Sequence, residues 1–381
     1  MHMVAEESLL REALGLDSGT PIRLMSREPL GAGAIAGFTV RGAGQPVVTY
    51  FVDTSRRAVP RETGVLQGTP ERPEVRVWAH PSDPHLPALA PVAFAQGADA
   101  LLRRLGVPAD AGLTLVGYRA GRRAVLRAGD AEPVWIKVVP PRRVSRIVDT
   151  HAQLASQGLP VPAVRGWADE GLIVLDHARG VPAAQAHWDP ADLIDRLDVL
   201  RERWASAALS HPSGARLPDR FVWYRARLRD VLAGDAARLA EQILSAGGGL
   251  ADQPTTETSV HGDLHLGQLF WQGDDVAAVI DVDTAGRGEP GDDVAAFLAH
   301  AVTTALTGRD LTRMVGVADA VRRRWLVGDA RERTLTLLLG HALGAFETGE
   351  PDRGLRILRV ARVVGDPDQD EKTLMKALGA P

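Results

Sequence analysis

Hydrophobic positions in the first hundred residues change from a helical to a strand-like spacing. Over residues 4–16 they recur every three or four positions, which predicts one amphipathic helix. Short apolar or alternating runs follow, separated by Gly and Pro, and predict three strands: FTVRG, VVTYFVD and EVRVWAH. Residues 80–93 hold four prolines and are expected to be irregular, before AFAQGADALLRRLG predicts another helix. This part of the chain is therefore predicted to be β-rich.

The apolar pattern beyond residue 108 predicts three strands in succession, then a helix over residues 142–157 and a further strand. The four strands are LTLVGYRA, RRAVLRA, PVWIKVV and, after the helix, GLIVLDHA. The predicted order is β-β-β-α-β.

Helical spacing dominates the rest of the chain. It covers residues 190–209 and 219–246, stops at the glycine run 247–249, and returns toward the C-terminus. We therefore predict an α+β fold of three domains: an N-terminal cap (1–107), a β-sheet lobe with one helix (108–178) and a mainly helical lobe (179–381).

Composition narrows the class of protein. The 381 residues are 45% hydrophobic and 24% charged, with a net charge of -4, which is typical of globular proteins and argues against a nucleic-acid partner. The absence of cysteine excludes disulfides and thiolate metal sites. The start MHMVAEESLL lacks the features of a signal peptide, and no run approaches about 18 apolar residues. A cytoplasmic protein with no membrane partner is expected.

One segment of the helical lobe is rich in His, Asp and Gly. In HGDLHLGQ, Asp263 precedes Gln268 by five positions, and Asp281 follows the apolar run AAVI. The turn QGDD between LFW and VAAVI predicts a hairpin that brings Gln268 back toward Asp281. Amide and carboxylate oxygens are ligands that Mg²⁺ accepts together with phosphates and water. Asp263 is then expected to accept the proton of a hydroxyl that attacks a γ-phosphate.

A structural role is the alternative for these acids, because Asp commonly caps helices and occupies turns. For Asp274 and Asp275, in the hairpin turn itself, the structural role is our prediction. For Asp263, Gln268 and Asp281, three separate elements agree with a template of catalytic-loop Asp, metal-binding amide and second metal-binding Asp. That joint agreement favours catalysis.

HGDLH, together with IDVDTAGRGEPGDDVA, resembles the Brenner-type motif of the aminoglycoside phosphotransferase family, whose fold is protein-kinase-like. The resemblance extends more loosely over residues 113–300 and leaves the first hundred residues uncovered. It implies that Asp263 is the catalytic base, Asp281 the principal Mg²⁺ ligand, and Asp293 a brace that hydrogen-bonds the catalytic loop. Gln268 stands where most members carry Asn, and HGDLHLGQ resembles the maltokinase and glucosamine-kinase branch, which also carries an N-terminal cap.

The two histidines of the motif receive separate predictions. The resemblance implies that His261 packs under the catalytic loop or hydrogen-bonds its backbone, and that His265 is either a loop hydrogen-bonder or a neighbour of the substrate. They lie four residues apart, as in a zinc-binding helix. The Glu of HExxH is missing, however, and Gly262 disfavours a helix, so zinc is the weaker alternative.

The nucleotide is expected to meet Lys137 at the end of the strand VWI. Only three of the 44 Lys and Arg residues are lysines, so a lysine at this position suggests a need for its compact charge. That charge would contact the α and β phosphates of the nucleotide. The alternative is a solvated lysine at the end of a strand. Kinases hold this lysine with a helix glutamate. The predicted helix over 142–157 offers only Asp149, which is one methylene shorter.

The turn YRAGRR stands where kinases have a glycine-rich phosphate loop. Backbone N–H groups near Gly121 are expected to bind phosphate, whereas Arg122 and Arg123 either contact phosphate or lie in a solvated turn. Backbone groups at Asp176, His177 and Ala178 resemble the hinge that meets adenine. The glycines of GAGAIAG precede a strand rather than a helix, so they predict a hairpin turn and not a dinucleotide site.

Together these residues predict an enzyme that uses ATP and Mg²⁺ to phosphorylate a hydroxyl of a small sugar, aminosugar or aminoglycoside. A protein kinase is less favoured, because DVDTAG leads straight to GEPGDD without room for a long activation loop. A catalytically silent nucleotide-binding module is the alternative from another class. A cationic acceptor would need carboxylates, and the candidates are Glu347, Glu350 and Asp352, although surface acids are more often solvated.

Overall fold

The computed structural model describes residues 5–42, 44, 46–104, 112–129, 133–214, 216–246, 257–307, 311–366 and 371–378. The chain divides into two compact units. The first comprises Met1–Asp149 and Ala163–His177, and the second comprises Thr150–Pro162 and Ala178–Pro381. The domain boundary predicted near residue 108 and the glycine break at 247–249 lie outside the described residues.

The first unit begins with a helix packed on an antiparallel five-stranded sheet of order β1-β2-β3-β5-β4. Leu10 of the helix is buried against Phe38 and Val52 of the sheet. These elements are α1 (Ala5–Leu14), β1 (Ile22–Leu30), β2 (Gly33–Arg41), β3 (Val47–Asp53), β4 (Val65–Gly68) and β5 (Pro73–Ala79). The predicted helix, strands and hairpin turn at GAGAIAG are confirmed.

Two strands of this sheet were not predicted, β1 and β4. Both lie at the edges of the sheet, and most of their residues are at least partly exposed. An edge strand buries little apolar surface, so its sequence lacks the alternation that marks a half-buried strand.

A second sheet in the same unit has the order β6-β7-β8-β10-β9. Its buried face, which includes Leu126, Ile136 and Val174, packs with Leu89 and Leu102 from two preceding helices. The elements are α2 (Leu89–Ala93), α3 (Ala95–Arg104), β6 (Leu113–Arg119), β7 (Arg123–Ala128), β8 (Val134–Val138), β9 (Val164–Ala168) and β10 (Leu172–Leu175). The helix α4 (Val144–Ser156) begins in this unit and belongs to the second unit from Thr150 onward. The predicted order omitted the edge strand β9.

The second unit is mainly helical around one large core that includes Trp204, Phe297 and Leu338. Its helices are α5 (Pro190–Ala205), α6 (Leu217–Val231), α7 (Gly234–Ala246), α8 (Pro290–Ala305), α9 (Leu311–Trp325), α10 (Ala330–Glu347), α11 (Pro351–Gly365) and α12 (Glu371–Leu378). No described helix is both long and apolar enough to cross a membrane.

The helical stretch predicted over residues 219–246 is two helices rather than one. Leu232 ends α6 with an extended backbone, and Gly234 begins α7 with a φ of +59°. Glycine adopts this left-handed conformation at little cost, so the chain turns there although the apolar spacing continues.

Two small sheets interrupt the helices of the second unit and carry the segment rich in His, Asp and Gly. One joins β11 (Val181–Pro182), β13 (Leu269–Gln272) and β14 (Asp275–Val279), and the other pairs β12 (Thr258–Val260) with β15 (Gly286–Gly288). The hairpin predicted from QGDD is therefore confirmed as β13 and β14.

Candidate active site

The loop that carries Asp263 begins where β12 ends. His261 is buried, and Gly262 has a φ of +78°, so the chain turns sharply before Asp263. A Cβ atom on Gly262 would lie 2.8 Å from the carbonyl oxygen of Thr284, which leaves no room for a side chain. Glycine is thus required both for the conformation and for the close approach. Asp263 leaves this turn with its side chain 48% exposed.

The carboxylate of Asp293 holds this loop from below. Its Oδ2 atom accepts the N–H of His261 at 2.9 Å, and Oδ1 accepts the N–H of Gly262 at 2.7 Å. Asp293 is 4% exposed in the first turn of α8, where burial raises its pKa against the opposing effects of His261 and these hydrogen bonds. This is the position that the sequence resemblance implied for the brace.

Removing the Asp293 carboxylate is expected to destabilise the fold. In Asp293→Ala, the buried N–H of His261 and the partly buried N–H of Gly262 lose their acceptors, which should lower the free energy of unfolding by about 3 kcal/mol. Asp274, exposed in the hairpin turn, provides the control, since Asp274→Ala should change stability by less than about 0.5 kcal/mol. Urea unfolding of both variants checks the difference, and equal stabilities would contradict it.

His261 lies beneath the loop that carries Asp263. Its Nε2 atom is 3.1 Å from the carbonyl oxygen of Ile280, and its ring packs against Trp204 with centroids 5.3 Å apart. The hydroxyl of Thr284 donates to the His261 carbonyl at 3.0 Å. The ring is therefore engaged with the backbone of the neighbouring strand end, next to Asp281.

The hairpin brings Gln268 and Asp281 to the same end of two paired strands. The N–H of Ile280 donates to the carbonyl oxygen of Gln268 at 2.9 Å. The Gln268 side chain is buried, and its Oε1 atom accepts the N–H of His265 at 3.1 Å. His265 in turn accepts the N–H of Gly267 on Nδ1 at 3.1 Å. The amide thus closes a small capped turn and keeps a second lone pair on Oε1.

Asp281 follows β14 in a left-handed conformation, with φ +60° and ψ +43°. Non-glycine residues seldom adopt it, and Asp is among those that tolerate it best. The conformation turns the chain directly into the short helical turn Val282–Thr284.

The oxygen donors of Gln268 and Asp281 fit Mg²⁺, which takes one or two protein ligands and completes its octahedron with phosphates and water. Among the described residues, no group of three or more His, Asp or Glu side chains could hold a metal without such help. The zinc alternative is not supported, because zinc sites use at least three protein ligands and the described residues contain no such group of His, Asp or Glu side chains.

A row of three histidines lies beside Asp263. The His300 Nε2 atom is 3.7 Å from Asp263 Oδ1, and the His300 ring stacks on His265 with centroids 4.1 Å apart. The His341 ring meets the His300 ring edge-on at 5.0 Å. Burial alone would raise the pKa of Asp263, but His300, His265 and His261 outweigh it and lower that pKa. Asp263 is therefore ionised at neutral pH.

Tyr224 of α6 completes the surroundings of Asp263. Its ring packs where α10 has Gly340, since a Cβ there would lie 2.6 Å from the Tyr224 Cζ atom. Burial raises the pKa of Tyr224, Arg220 opposes the shift, and the charge of Asp263 adds to it. Sequence reasoning missed His300, His341 and Tyr224. For His300 a signal existed, because it follows Asp293 by seven residues, two helical turns along the same face of α8.

The row of histidines gives the fold a specific pH dependence. Burial, assisted by His300, lowers the pKa of His341 from 6.5 to about 4. Below pH 6.5 the unfolded chain therefore binds a proton at His341, whereas the folded chain binds that proton only near pH 4. The stability that His341 contributes is present above its unfolded pKa and is lost as pH falls toward the folded value. We expect His341→Gln to reduce the acid loss of stability, measured by urea unfolding at about pH 7 and about pH 5. An unchanged pH dependence would contradict the assignment.

Lys137 lies in the middle of the second sheet of the first unit. It is 6% exposed on β8 and faces Val125 of β7 and Ile173 of β10 across the ladder. Asp149, the predicted partner, is exposed on α4. A buried ammonium group requires compensation by hydrogen bonds or charge, so its burial distinguishes Lys137 from a solvated strand end.

The turn of YRAGRR is occupied by the preceding part of the same unit. Gly121 donates its N–H to Asp83 at 2.7 Å, and Tyr118 donates its hydroxyl to the same buried carboxylate at 2.8 Å. Arg122 donates to the Pro29 carbonyl and lies 3.4 Å from Glu28. Two of the three residues predicted to contact phosphate, Gly121 and Arg122, are therefore engaged with acceptors near the first sheet. Arg123 begins β7 and pairs with Arg119 in the strand ladder.

The predicted hinge residues stand where the chain passes from one unit to the other. Asp176 and His177 end the first unit, and Ala178 begins the second. The Asp176 N–H donates to Ala163, its carboxylate pairs with Arg165, and the His177 ring accepts the Trp135 indole N–H at 3.1 Å.

The acids considered for a cationic acceptor are mostly paired. Glu347 lies 2.7 Å from Arg227 of α6, and Glu350 lies 3.0 Å from Arg353. Asp352 is exposed in the first turn of α11. Two of the three carboxylates therefore already have a cation.

A family model described as the phosphotransferase enzyme family matches residues 49–333. The match begins within β3, so it reaches into the first hundred residues, which the sequence resemblance had left uncovered. No curated protein matches the sequence.

The solved structures most relevant here are those of one enzyme. Aminoglycoside phosphotransferase APH(4)-Ia is 16% identical over 70% of this chain and 97% of its own, with a TM-score of 0.54. A thermostable mutant of it, in a ternary complex with AMP-PNP and hygromycin B, is 18% identical over 70% of this chain and 96% of its own, with a TM-score of 0.53. These similarities confirm the predicted kinase-like α+β fold.

Proposed function

We propose a function from the premise that this chain belongs to the phosphotransferase enzyme family. The protein is a small-molecule kinase that uses ATP as its phosphate donor. Its acceptor is a hydroxyl of a small sugar-like molecule. The observation that carries the proposal is Asp263. It is an ionised, half-exposed carboxylate on a loop whose backbone is fixed by a buried acid. A base that must receive a proton from a bound hydroxyl needs that combination of charge, access and fixed position.

Each candidate residue has a separate role in the proposed reaction. Asp263 orients the acceptor hydroxyl and takes its proton as the oxygen attacks the γ-phosphate. Gln268 and Asp281 would hold Mg²⁺, which neutralises charge on the phosphates when it is bound. Lys137 contributes a fixed positive charge for the α and β phosphates. Gly121 and Arg122 are engaged by Asp83, Glu28 and Pro29. We therefore propose that phosphate binding relies more on Lys137 and the metal than on this turn.

The acceptor is expected to be a sugar of low positive charge. An aminoglycoside is a polycation, and it is best held by unpaired carboxylates. Here Glu347 and Glu350 are paired with arginines, while the groups that act on Asp263 are imidazoles. The Gln268 position, which resembles the maltokinase and glucosamine-kinase branch, supports the same proposal. One of the similar solved structures is a complex with hygromycin B, so the experiment also includes this aminoglycoside.

The experiment that tests the proposed function measures acceptor-dependent ADP release with Mg·ATP. The panel consists of D-glucose, maltose, D-glucosamine and hygromycin B, with ATP hydrolysis in water as the baseline. We expect at least one sugar to raise ADP release well above the baseline and hygromycin B to do so less. Nucleotide binding without any release above background would instead support the alternative, a catalytically silent nucleotide-binding module.

A further inference from the structure

Helix α8 contacts the catalytic loop at two separate points. Near its start, Asp293 fixes the backbone of the loop through the N–H groups of His261 and Gly262. Two turns later, His300 lies against the side chain of Asp263, with Nε2 3.7 Å from Oδ1. Most residues of α8 are buried, so its backbone is a rigid reference for both contacts.

The ring of His300 has little freedom to turn away. His265 stacks on one face at 4.1 Å and 26°, and His341 of α10 meets it edge-on at 5.0 Å. The His300 side chain remains 33% exposed, and that of Asp263 is 48% exposed. The three imidazoles therefore form a fixed row that aims one nitrogen at the carboxylate.

We propose that His300 is a positioning residue for Asp263 in the transfer reaction, and this inference rests on the proposed function. An Nε2–H group donating to Oδ1 fixes one oxygen of the carboxylate and leaves Oδ2 directed at the acceptor hydroxyl. The separation of 3.7 Å is longer than a hydrogen bond, and such contacts often tighten only when substrate is bound. His300 itself gives up no proton. The hydroxyl proton passes to Asp263 as the hydroxyl oxygen bonds to the γ-phosphorus, while the bond from that phosphorus to the β–γ bridging oxygen of ATP breaks and ADP leaves.

A role in packing alone is the competing explanation, and two substitutions separate the two roles. His300→Phe keeps an aromatic ring between His265 and His341 but removes the N–H donor. His300→Gln removes the ring but retains an N–H donor of similar reach. A packing role predicts that Phe is tolerated and Gln is harmful, whereas a positioning role predicts the reverse order for turnover.

The test compares kcat, the KM for ATP and the melting temperature of the full-length protein and its variants, using the panel sugar that gives the most ADP release. We expect His300→Phe to lower kcat by about 10- to 100-fold, with the KM for ATP and the melting temperature nearly unchanged. His300→Gln should recover much of that loss. His187→Phe, a change at an exposed histidine, should leave kcat unaffected.

The outcomes distinguish this inference from the proposed function. If Asp263→Asn abolishes turnover while His300→Phe turns over like the unmodified protein, the positioning role is overturned and the kinase assignment stands. If no panel sugar is phosphorylated, ATP hydrolysis, in which water replaces the hydroxyl, serves for the same comparison of variants. If neither activity depends on Asp263, the proposed function fails, and this inference fails with it.

Discussion

Replacing Asp263 by asparagine is expected to lower kcat by about 10³-fold or more while nucleotide binding stays nearly intact. General base catalysis contributes roughly 10²- to 10⁴-fold, and a neutral amide cannot accept the hydroxyl proton. The substitution keeps the shape of the side chain, and Asp263 is half exposed, so folding should not suffer. The measurement is kcat with the preferred acceptor, together with AMP-PNP binding by calorimetry.

A matched control for Asp263→Asn is Asp274→Asn, the same chemical change at an exposed turn of the adjoining hairpin. It should leave both kcat and nucleotide affinity unaltered. Unchanged turnover in Asp263→Asn would remove Asp263 from the reaction. A loss of nucleotide binding equal to the loss of turnover would instead show that the residue serves the donor rather than the acceptor.

Asp281→Asn is expected to have the second largest effect, through the metal. Asparagine tolerates the left-handed conformation of Asp281, so the chain should still turn into the Val282–Thr284 segment. The negative charge that attracts Mg²⁺ is lost, however, and metal stabilisation of transferring phosphate is worth several kcal/mol. We expect kcat to fall by about 10²- to 10³-fold at fixed Mg²⁺.

The dependence of rate on Mg²⁺ concentration separates a metal ligand from a structural Asp281. The variant should need a higher Mg²⁺ concentration for half-maximal rate, with a melting temperature in the absence of metal close to that of the unmodified protein. If turnover falls but its Mg²⁺ dependence does not change, Asp281 does not hold the metal. Asp281→Ala, which adds backbone strain, should be less stable than Asp281→Asn.

The sequence predicted those parts of the site that depend on local spacing. The turn QGDD between two apolar runs was sufficient to predict that the chain returns to Gln268 just before Asp281, because a short hairpin fixes the register of its strands. Asp293 could be assigned by resemblance, since it lies at a fixed distance from a recognisable motif. Predicting these features requires only residues that lie close together in the sequence.

The parts that the sequence did not predict depend on contacts between distant residues. Asp83 binds the N–H of Gly121 across 38 positions, and His341 reaches His300 from another helix. The lone histidine His341 carries no pattern in the sequence that reveals its neighbour, and a carboxylate in a proline-rich loop resembles any turn acid. Gln268 shows a further limit, because its amide oxygen accepts the His265 N–H in a contact that spacing alone did not suggest.

The central claim is that this protein transfers the γ-phosphate of ATP to an acceptor hydroxyl with Asp263 as base. The most direct test is ³¹P NMR of a mixture of Mg·ATP and the preferred panel sugar, with the unmodified protein and with Asp263→Asn. The account predicts a new phosphomonoester resonance that grows as ADP forms with the unmodified protein and is absent with the variant over the same time. ADP that accumulates with inorganic phosphate alone, or a phosphomonoester formed equally fast by Asp263→Asn, would contradict it.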